Sequence, residues 1–109
     1  MGYIKLPTVH PLATHSFMLF PIVLTNKKIN RKKVLNYLEE HDIVTRYMMP
    51  LTNQPIFKKL FGNIEDKYPV AKYMNEKAFL IGIHQGLNEN DLDYVASNIY
   101  MALKGQQIK

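Results

Sequence analysis

The sequence predicts a single α+β domain, a two-layer sandwich in which helices cover one small sheet. Three observations support this prediction. The chain has 109 residues, a length typical of one domain. Hydrophobic residues make up 47% and charged residues 21%, which is the composition of a globular chain. Short stretches with strand-like and helix-like patterns alternate along the sequence.

The first strand is predicted to follow an extended lead-in over residues 1–14, where Pro7 and Pro11 lack backbone donors and disfavour a helix. Residues 15–24 carry apolar side chains at both odd and even positions, so both faces of this strand are expected to be covered. Pro21 cannot donate to a neighbouring strand, which predicts an edge position or a bulge.

The helices have recognisable start and stop signals. Asn30 is a suitable N-cap for the first helix, and Asn88 with Asp91 forms a capping-box pair before the last. The predicted elements after the first strand are, in order, a helix over 31–41, a strand over 43–49, a helical turn over 56–61, a helix beginning at Pro69, a strand over 80–83, a helix over 89–103 and a tail over 105–109.

Core positions follow from the same patterns. We expect the last helix to line the core with one stripe of apolar side chains at helical spacing. This stripe consists of Leu92, Val95, Ala96, Ile99 and Leu103. Phe57 and Phe61 are also predicted to be core residues rather than platforms for a ligand. The domain is expected to span residues 15–104.

The charge is uneven along the chain. There are 14 basic and 9 acidic residues, giving a net charge of +5. The basic excess centres on Lys27, Lys28, Arg31, Lys32 and Lys33. The simpler interpretation is a solvated loop and helix start; the alternatives are a phosphorylated small ligand, an anionic lipid or a nucleic acid. The second half is slightly acidic and carries no nucleic-acid recognition motif, so no nucleic-acid partner is expected.

Several classes of protein are excluded. The chain has no cysteine, which excludes a disulfide scaffold and a thiolate zinc site. The longest apolar run is far shorter than the roughly 20 residues of a membrane-spanning helix, so no membrane association is expected. The four histidines lack ligand spacing, so no metal is expected. Glycine-rich phosphate loops and nucleophile elbows are absent, and no residue is predicted to be catalytic.

Two positions remain as substrate-binding candidates. Arg46 lies at a strand end close to Pro50, and its planar guanidinium suits a carboxylate or a phosphate. His84 lies in a turn between a strand and a capped helix, where its ring can donate to a ligand or to a partner domain. The alternatives are a surface or domain-interface salt bridge for Arg46 and a histidine hydrogen-bonded within its own turn for His84.

A set of short motifs in a fixed order resembles a known family. The motifs are Ser16-Phe17-Met18-Leu19-Phe20-Pro21-Ile22, His41-Asp42-Ile43-Val44-Thr45-Arg46, Gln54-Pro55-Ile56-Phe57, Tyr68-Pro69-Val70-Ala71, Ile81-Gly82-Ile83-His84-Gln85-Gly86-Leu87 and Asp91-Leu92-Asp93-Tyr94-Val95. From about residue 5 to residue 103 they resemble the C-terminal part of DegT/DnrJ/StrS sugar aminotransferases. Each motif alone is weak, and their order and spacing make the resemblance specific.

The resemblance implies a fold and a function. Members are fold-type-I enzymes that use pyridoxal phosphate (PLP); most transfer an amino group to a nucleotide-linked keto sugar, and a few are dehydratases. They usually act as cytoplasmic dimers in amino-sugar and polysaccharide biosynthesis. The small C-terminal domain has a mainly antiparallel sheet and helps to form the substrate cleft. Arg46 and His84 match recurrent positions of the family and become its expected substrate contacts.

The departures from the family are equally informative. The large PLP-binding domain is absent, and no lysine here matches the family's cofactor-binding lysine. We therefore expect this chain to bind no cofactor and to be inactive alone, with the missing domain and a second subunit as partners. Apolar surface left uncovered predicts self-association. The alternative is a stand-alone interaction or nucleotide-sugar-binding module without catalysis.

Overall fold

A computed structural model describes residues 2–106, and within them the chain forms an antiparallel four-stranded sheet with helices, so the predicted α+β class is confirmed. The strand order is β1-β2-β4-β3, and every neighbouring pair is antiparallel. The elements are β1 (Ile4–Lys5), β2 (Phe20–Leu24), α1 (Arg31–Glu40), β3 (Thr45–Tyr47), α2 (Pro55–Phe61), α3 (Pro69–Lys77), β4 (Ala78–Ile81) and α4 (Glu89–Lys104).

The core lies between the two central strands and the helices α1 and α4. Side chains alternate along β2, so Ile22 and Leu24 share one face and are both buried. Phe79 of β4 is opposite Ile22 in the register and is fully buried. The helices contribute the remaining buried apolar side chains of this cluster, chiefly Val34, Leu35, Leu38, Ile99 and Leu103.

Helices α1 and α4 run antiparallel and are joined at both ends. At one end the backbone N–H of Asn30 donates to Oε1 of Gln106 at 2.9 Å. At the other end the hydroxyl of Tyr94 donates to the carbonyl of His41 at 2.9 Å. These bonds fix the pair over the sheet. The third helix, α3, contributes Val70, Tyr73 and Met74 to a cavity shared with Pro21 and Val23. Because those two residues alternate with the buried ones of β2, α3 covers part of the opposite face.

Both predicted helix starts are confirmed by their hydrogen bonds. Oδ1 of Asn30 accepts from the N–H of Lys33 at 3.2 Å. Oδ1 of Asn88 accepts from the N–H of Asp91 at 2.9 Å, and Oδ2 of Asp91 accepts from the N–H of Asn88 at 3.0 Å. This reciprocal pair is a complete capping box, which satisfies two N–H groups that no helical carbonyl reaches.

The first predicted strand is too long at its start. It was expected over 15–24, but β2 begins at Phe20. The backbone of Phe17 has φ of 45°, in the left-handed region, which interrupts an extended chain. The lead-in, in turn, contains the short strand β1, which pairs with the far end of β2 at Leu24 and Val23.

The edge position predicted from Pro21 is wrong, because β2 lies between β1 and β4. Pro21 is opposite Leu80 in the register with β4. On the other side β1 pairs only with Val23 and Leu24, so no strand neighbours Pro21 there. A proline is tolerated in this interior strand because the strand is flanked by a partner on only one side at that point.

Two further strands differ from their predicted bounds. β3 spans Thr45–Tyr47 rather than 43–49, since Asp42 has φ of 61° and turns the chain after α1. β4 spans Ala78–Ile81 rather than 80–83. Ala78 has φ of −95° and ψ of 150°, so α3 ends at Lys77 and the strand follows at once.

The structure also bears on membranes and metals. No helix within residues 2–106 has the length and apolar character needed to cross a membrane. In the same part of the chain no three His, Asp or Glu side chains are grouped to hold a metal ion.

Candidate functional site

Arg46 occupies the middle of β3 and is exposed. Its register partner is Leu80, which is itself opposite Pro21, so Arg46 belongs to the sheet face away from the α1–α4 core. Within residues 2–106 its side chain has no hydrogen bond and no ion pair, so the surface salt bridge considered from the sequence does not form there. Its guanidinium has five donors available for a carboxylate or phosphate.

His84 lies in the turn between β4 and α4, and its ring is hydrogen-bonded locally. Nδ1 accepts from the N–H of Gly86 at 3.1 Å, and the carbonyl of His84 accepts from the N–H of Leu87 at 3.2 Å. Because Nδ1 is an acceptor, the neutral ring carries its proton on Nε2. Nδ1 of His84 is therefore hydrogen-bonded within its own turn, as the alternative interpretation expected, whereas the Nε2–H remains available as a donor.

His84 lines a cavity of about 300 Å³ at the start of α4. Asp91 and Tyr94 also line this cavity. Oδ2 of Asp91 accepts the capping-box bond, and the hydroxyl of Tyr94 donates to the carbonyl of His41. Nε2–H of His84 is thus the side-chain donor at this cavity that has no partner among the described residues. A hydroxyl or a phosphate oxygen is the chemical group that such a donor binds.

The structure does not bring the two candidates into one site. None of the cavities that we describe is lined by both Arg46 and His84. Arg46 is on the outer sheet face and His84 is in the turn at the end of β4. Within this domain each can contact a different part of a large ligand, and a single small anion does not engage both.

An apolar groove of about 280 Å³ adjoins the His84 cavity and shares Ile81, Gly82, Leu87 and Val95 with it. Its walls also include Ile4, Leu6, Phe20, Ile22, Ile83, Leu92, Ala96 and Ile99. Leu92, predicted to line the core, is 50% exposed at this groove. The groove has no signal in the sequence, because the lead-in that supplies Ile4 and Leu6 was not expected to reach the sheet.

A second apolar surface is formed by residues 49–61, which we call the apolar arm. No residue of α2 is buried. The exposed members are Met49, Leu51, Ile56, Leu60 and Phe61. The prediction that Phe61 is a core residue is wrong, since 61% of it is exposed; Phe57 is half-buried, with its ring centroid 5.8 Å from that of Phe61. Within residues 2–106 no other part of the chain buries these five side chains.

Arg31, the most constrained cation of the basic stretch, has a structural role. Nη1 donates to the carbonyls of Asn75 at 2.5 Å and Ala78 at 2.9 Å, and the guanidinium lies 4.5 Å from the ring centroid of Tyr47. Partial burial lowers the pKa of Arg31, and the charges of Tyr47 and Glu76 oppose this shift. The side chain joins α1 to the end of α3, where a helix dipole favours a cation.

The fold and its surfaces define an α+β domain with one sealed core and two open apolar surfaces. The family model described as the DegT/DnrJ/EryC1/StrS aminotransferase family matches residues 1–100. The chain belongs to this family.

Curated relatives are consistent with this membership. A lipopolysaccharide biosynthesis protein from Salmonella typhimurium is 30% identical over 98 residues, which are 87% of this chain and 22% of the relative. A dTDP-4-dehydro-2,6-dideoxy-D-glucose 3-dehydratase from Saccharopolyspora spinosa is 26% identical over 97 residues, which are 86% of this chain and 21% of that enzyme. The chain therefore spans about a fifth of the length of these relatives.

Solved structures share the fold. An aminotransferase from Streptoalloteichus hindustanus superposes with a TM-score of 0.74 at 18% identity, covering 94% of this chain and 26% of that one. A Streptococcus pneumoniae protein assigned as a sugar aminotransferase, solved in a PMP form, superposes with a TM-score of 0.70 at 17% identity, covering 82% and 23% of the two chains. At these identities the likeness concerns the fold alone.

Proposed function

We propose that this chain is the small C-terminal domain of a PLP-dependent nucleotide-sugar aminotransferase that serves amino-sugar or surface-polysaccharide biosynthesis in the cytoplasm. In this role it contributes one wall of the substrate cleft and has no activity alone. The carrying observation is the family match over residues 1–100 combined with coverage of only 21–26% of the named relatives and neighbours.

The two open apolar surfaces support this proposal. A domain that folds alone for a solitary role rarely leaves a large contiguous apolar patch uncovered. Here the apolar arm exposes more than half of each of five large side chains. The apolar groove beside His84 is a second such surface. A cofactor domain and a second subunit are the partners that would cover them in the parent enzyme.

The apolar groove and the His84 cavity do not fit PLP itself. The cofactor's aldehyde reacts with a lysine amine, and the apolar groove and the His84 cavity contain no lysine. The amine of Lys77, in the cavity beside Arg31, already donates to the carbonyls of Lys27 at 3.1 Å and Ile29 at 2.8 Å. No lysine of this chain matches the family's cofactor-binding lysine either, which supports placing the cofactor in the remainder of the parent enzyme.

The role left to this chain is substrate binding. A nucleotide sugar carries a diphosphate and several hydroxyl groups. Arg46, with a free guanidinium, suits the diphosphate, because bidentate hydrogen bonds between guanidinium and phosphate are strong. His84 suits a sugar hydroxyl, since its Nε2–H is a single neutral donor. Their separation within the domain accords with a ligand that contacts them from two directions, or with contacts made in different subunits.

A domain exchange tests this proposal. The matching quarter of the pneumococcal neighbour is replaced by this chain, and amino transfer from glutamate to a nucleotide-linked keto sugar is measured. We expect measurable amino transfer by the chimera and none by this chain alone in the presence of PLP. Stoichiometric PLP binding and amino transfer by the isolated chain would refute the proposal. An unfolded chimera is recognised by its circular dichroism, and a second host, the Streptoalloteichus aminotransferase, then replaces it.

A dehydratase parent is the nearest variation, because one relative is a 3-dehydratase of a dTDP-linked sugar. The product of the chimera reflects its host and does not distinguish an aminotransferase parent from a dehydratase parent. The residue at the cofactor-binding position of the parent enzyme makes that distinction. A stand-alone nucleotide-sugar-binding module is the second candidate, favoured by the free donors of Arg46 and His84. It predicts saturable binding of a dTDP-sugar to the isolated chain, measured by calorimetry, which Arg46→Gln abolishes and Lys59→Gln does not.

A further inference from the structure

Helix α1 presents a polar face whose two ends carry equal and opposite charges. One side of the helix is buried through Val34, Leu35 and Leu38. The exposed side consists of Lys32, Lys33, Asn36, Glu39 and Glu40. Two cations occupy one end of this face, two carboxylates occupy the other, and Asn36 is midway between them. We call these five residues the α1 face.

None of the four charges is satisfied inside the domain. Lys32 and Glu39, like Lys33 and Glu40, are seven residues apart, which is about 10.5 Å along a helix and too far for an ion pair. Within residues 2–106 these four side chains make no hydrogen bond and no ion pair; the salt bridge of this part of the chain joins Lys72 and Asp66.

The charges also oppose the dipole of their own helix. A helix favours acidic side chains in its first turn and basic ones in its last. The first turn of α1 has no acidic residue and its last turn no basic one. By contrast, α4 has Glu89 and Asp91 in the first turn and Lys104 in the last. The α1 arrangement is thus slightly unfavourable for the isolated domain, and a partner of matching charge would relieve it.

The geometry of the face selects that partner. At about 100° per residue, Lys32 and Glu39 lie on one side of Asn36, and Lys33 and Glu40 lie on the other. A two-fold axis that passes beside Asn36, perpendicular to the helix, carries each lysine onto the carboxylate of its own side with an axial offset of about 1.5 Å. The face is therefore complementary to itself in the antiparallel direction, which is the requirement for an isologous interface.

We propose that two copies of this chain associate through antiparallel pairing of their α1 helices about a two-fold axis at Asn36. Lys32 of one copy binds Glu39 of the second, and Lys33 binds Glu40. The carboxylates of the second copy then lie beside the N-terminus of α1, where the helix dipole favours negative charge. Pairing thus supplies the charges that each helix lacks. This proposal does not depend on the proposed enzymatic function.

The interaction is electrostatic and solvent-exposed, so it is weak and sensitive to salt. The chain contains no cysteine, which permits a direct test of the axis. In the Asn36→Cys variant the two thiols of a pair lie next to each other and form an intermolecular disulfide under mild oxidation. Ser97→Cys, at an exposed position of α4, is the matched control.

We expect Asn36→Cys to cross-link about tenfold faster than Ser97→Cys at about 0.01 M salt, and the difference to vanish at about 1 M salt, where the Debye length is about 3 Å. Equal cross-linking rates for the two variants at low salt overturn the proposal. A salt-independent excess for Asn36→Cys also contradicts it, because association would then be driven by apolar contacts.

Charge exchange gives an independent test by sedimentation. Lys32→Glu/Lys33→Glu and Glu39→Lys/Glu40→Lys should each lose self-association at low salt, while an equimolar mixture of the two recovers it as a heterodimer. The fourfold variant that exchanges all four charges should self-associate like the natural chain. Circular dichroism confirms that each variant is folded. Failure of the mixture to associate, with both variants folded, overturns the proposal.

A different occupant of the basic end is distinguished in the same experiments. If the lysines bind a polyanion, Lys32→Glu/Lys33→Glu loses binding to a duplex DNA probe while self-association is unchanged in both double variants. That result refutes pairing. Association that persists in both double variants and disappears in Phe61→Ala assigns the interface to the apolar arm instead, and refutes pairing as well.

Discussion

The α1–α4 side of the sheet and the apolar arm use the same kinds of side chain with opposite results. Phe79, on the central strand β4, is fully buried, whereas Phe61, at the end of α2, is 61% exposed. Leu38 of α1 is buried and Leu60 of α2 is 64% exposed. The chain supplies partners for the first region from its own sequence and leaves the second without them.

The difference follows from how each element is bounded. α1 and α4 have 10 and 16 residues, long enough to carry a continuous apolar stripe over the sheet. α2 has seven residues, begins directly at Pro55 and is stopped by Gly62 with φ of 73°. A helix of two turns between two breakers cannot reach across the sheet, so its apolar residues remain available to another chain or domain.

Truncating a phenylalanine in each region should produce the largest contrast. Phe79→Ala removes a ring from the packed core and should lower the free energy of unfolding by about 3–5 kcal/mol. Phe61→Ala should change it by no more than about 0.5 kcal/mol, because the ring is on the surface. Urea unfolding of the two variants measures both values. Similar losses would show that the arm is part of the folded core.

The fold was largely predictable from the sequence, since the signals for the helices are local. Asn30 and Asn88 identify two helix starts without knowledge of any partner, and Pro69 identifies a third. The pairing of β1 with β2 is a contact about 20 residues apart, with no local signal in a two-residue strand. For the same reason the apolar groove was not predicted, because two of its walls, Ile4 and Leu6, come from β1 and the lead-in.

The assignment of Arg46 and His84 as substrate contacts stays a prediction. Arg46 and His84 were identified by residue type and position, and the structure gives each a free donor. Arg46 and His84 are separated because side chains alternate in β3 and because His84 lies in the turn after β4. The spacing of the two residues in the sequence does not predict this separation. The exposure of Phe61 was not predicted, because an apolar residue in a helix is normally expected to lie in the core. The short length of α2, which keeps Phe61 from the core, was not known from the sequence.

Removing Arg31, which joins α1 to the end of α3, should have the second-largest effect on the free energy of unfolding. Arg31→Ala removes two hydrogen bonds to carbonyls at the end of α3 together with the contact to Tyr47. Hydrogen bonds from a charged donor contribute about 1.5–3 kcal/mol, and we expect a loss of that size in thermal unfolding. Lys32→Ala, next in sequence and exposed, is the control and should be nearly neutral. An equal effect for both would mean that the charge of the stretch matters rather than the specific bonds.

The cap of α4 should contribute less. Asn88→Ala breaks one bond of the capping box and should cost about 1 kcal/mol of the free energy of unfolding. Asn90→Ala, in the first turn and exposed, keeps both capping bonds and should leave stability almost unchanged. Hydrogen exchange of the amides at the start of α4 measures the local effect, since an unprotected first turn frays. Unchanged exchange in Asn88→Ala would show that packing alone holds this end, as it holds the centre of the core.

The smallest expected effect comes from the solvent-exposed salt bridge between Lys72 of α3 and Asp66. Lys72 donates to Asp66 at 2.6 Å, and this bond holds the pKa of Asp66 below its ordinary value of 3.8. A lowered pKa in the folded state adds stability that is fully present above 3.8 and is lost as the pH falls through the folded value. The same bond raises the pKa of Lys72 above 10.5, so the contribution also fades in strong alkali.

Asp66→Asn should therefore be slightly less stable than the natural chain between these two limits, and the difference should disappear in strong acid. High salt should remove it as well, because both groups are exposed to solvent and their attraction is screened. Asp93→Asn, which removes an exposed carboxylate from α4, is the control. Urea unfolding followed across acid pH measures the difference. A deficit that persists at the lowest pH would mean that Asp66 acts through packing, which would join this end of α3 to the sealed core.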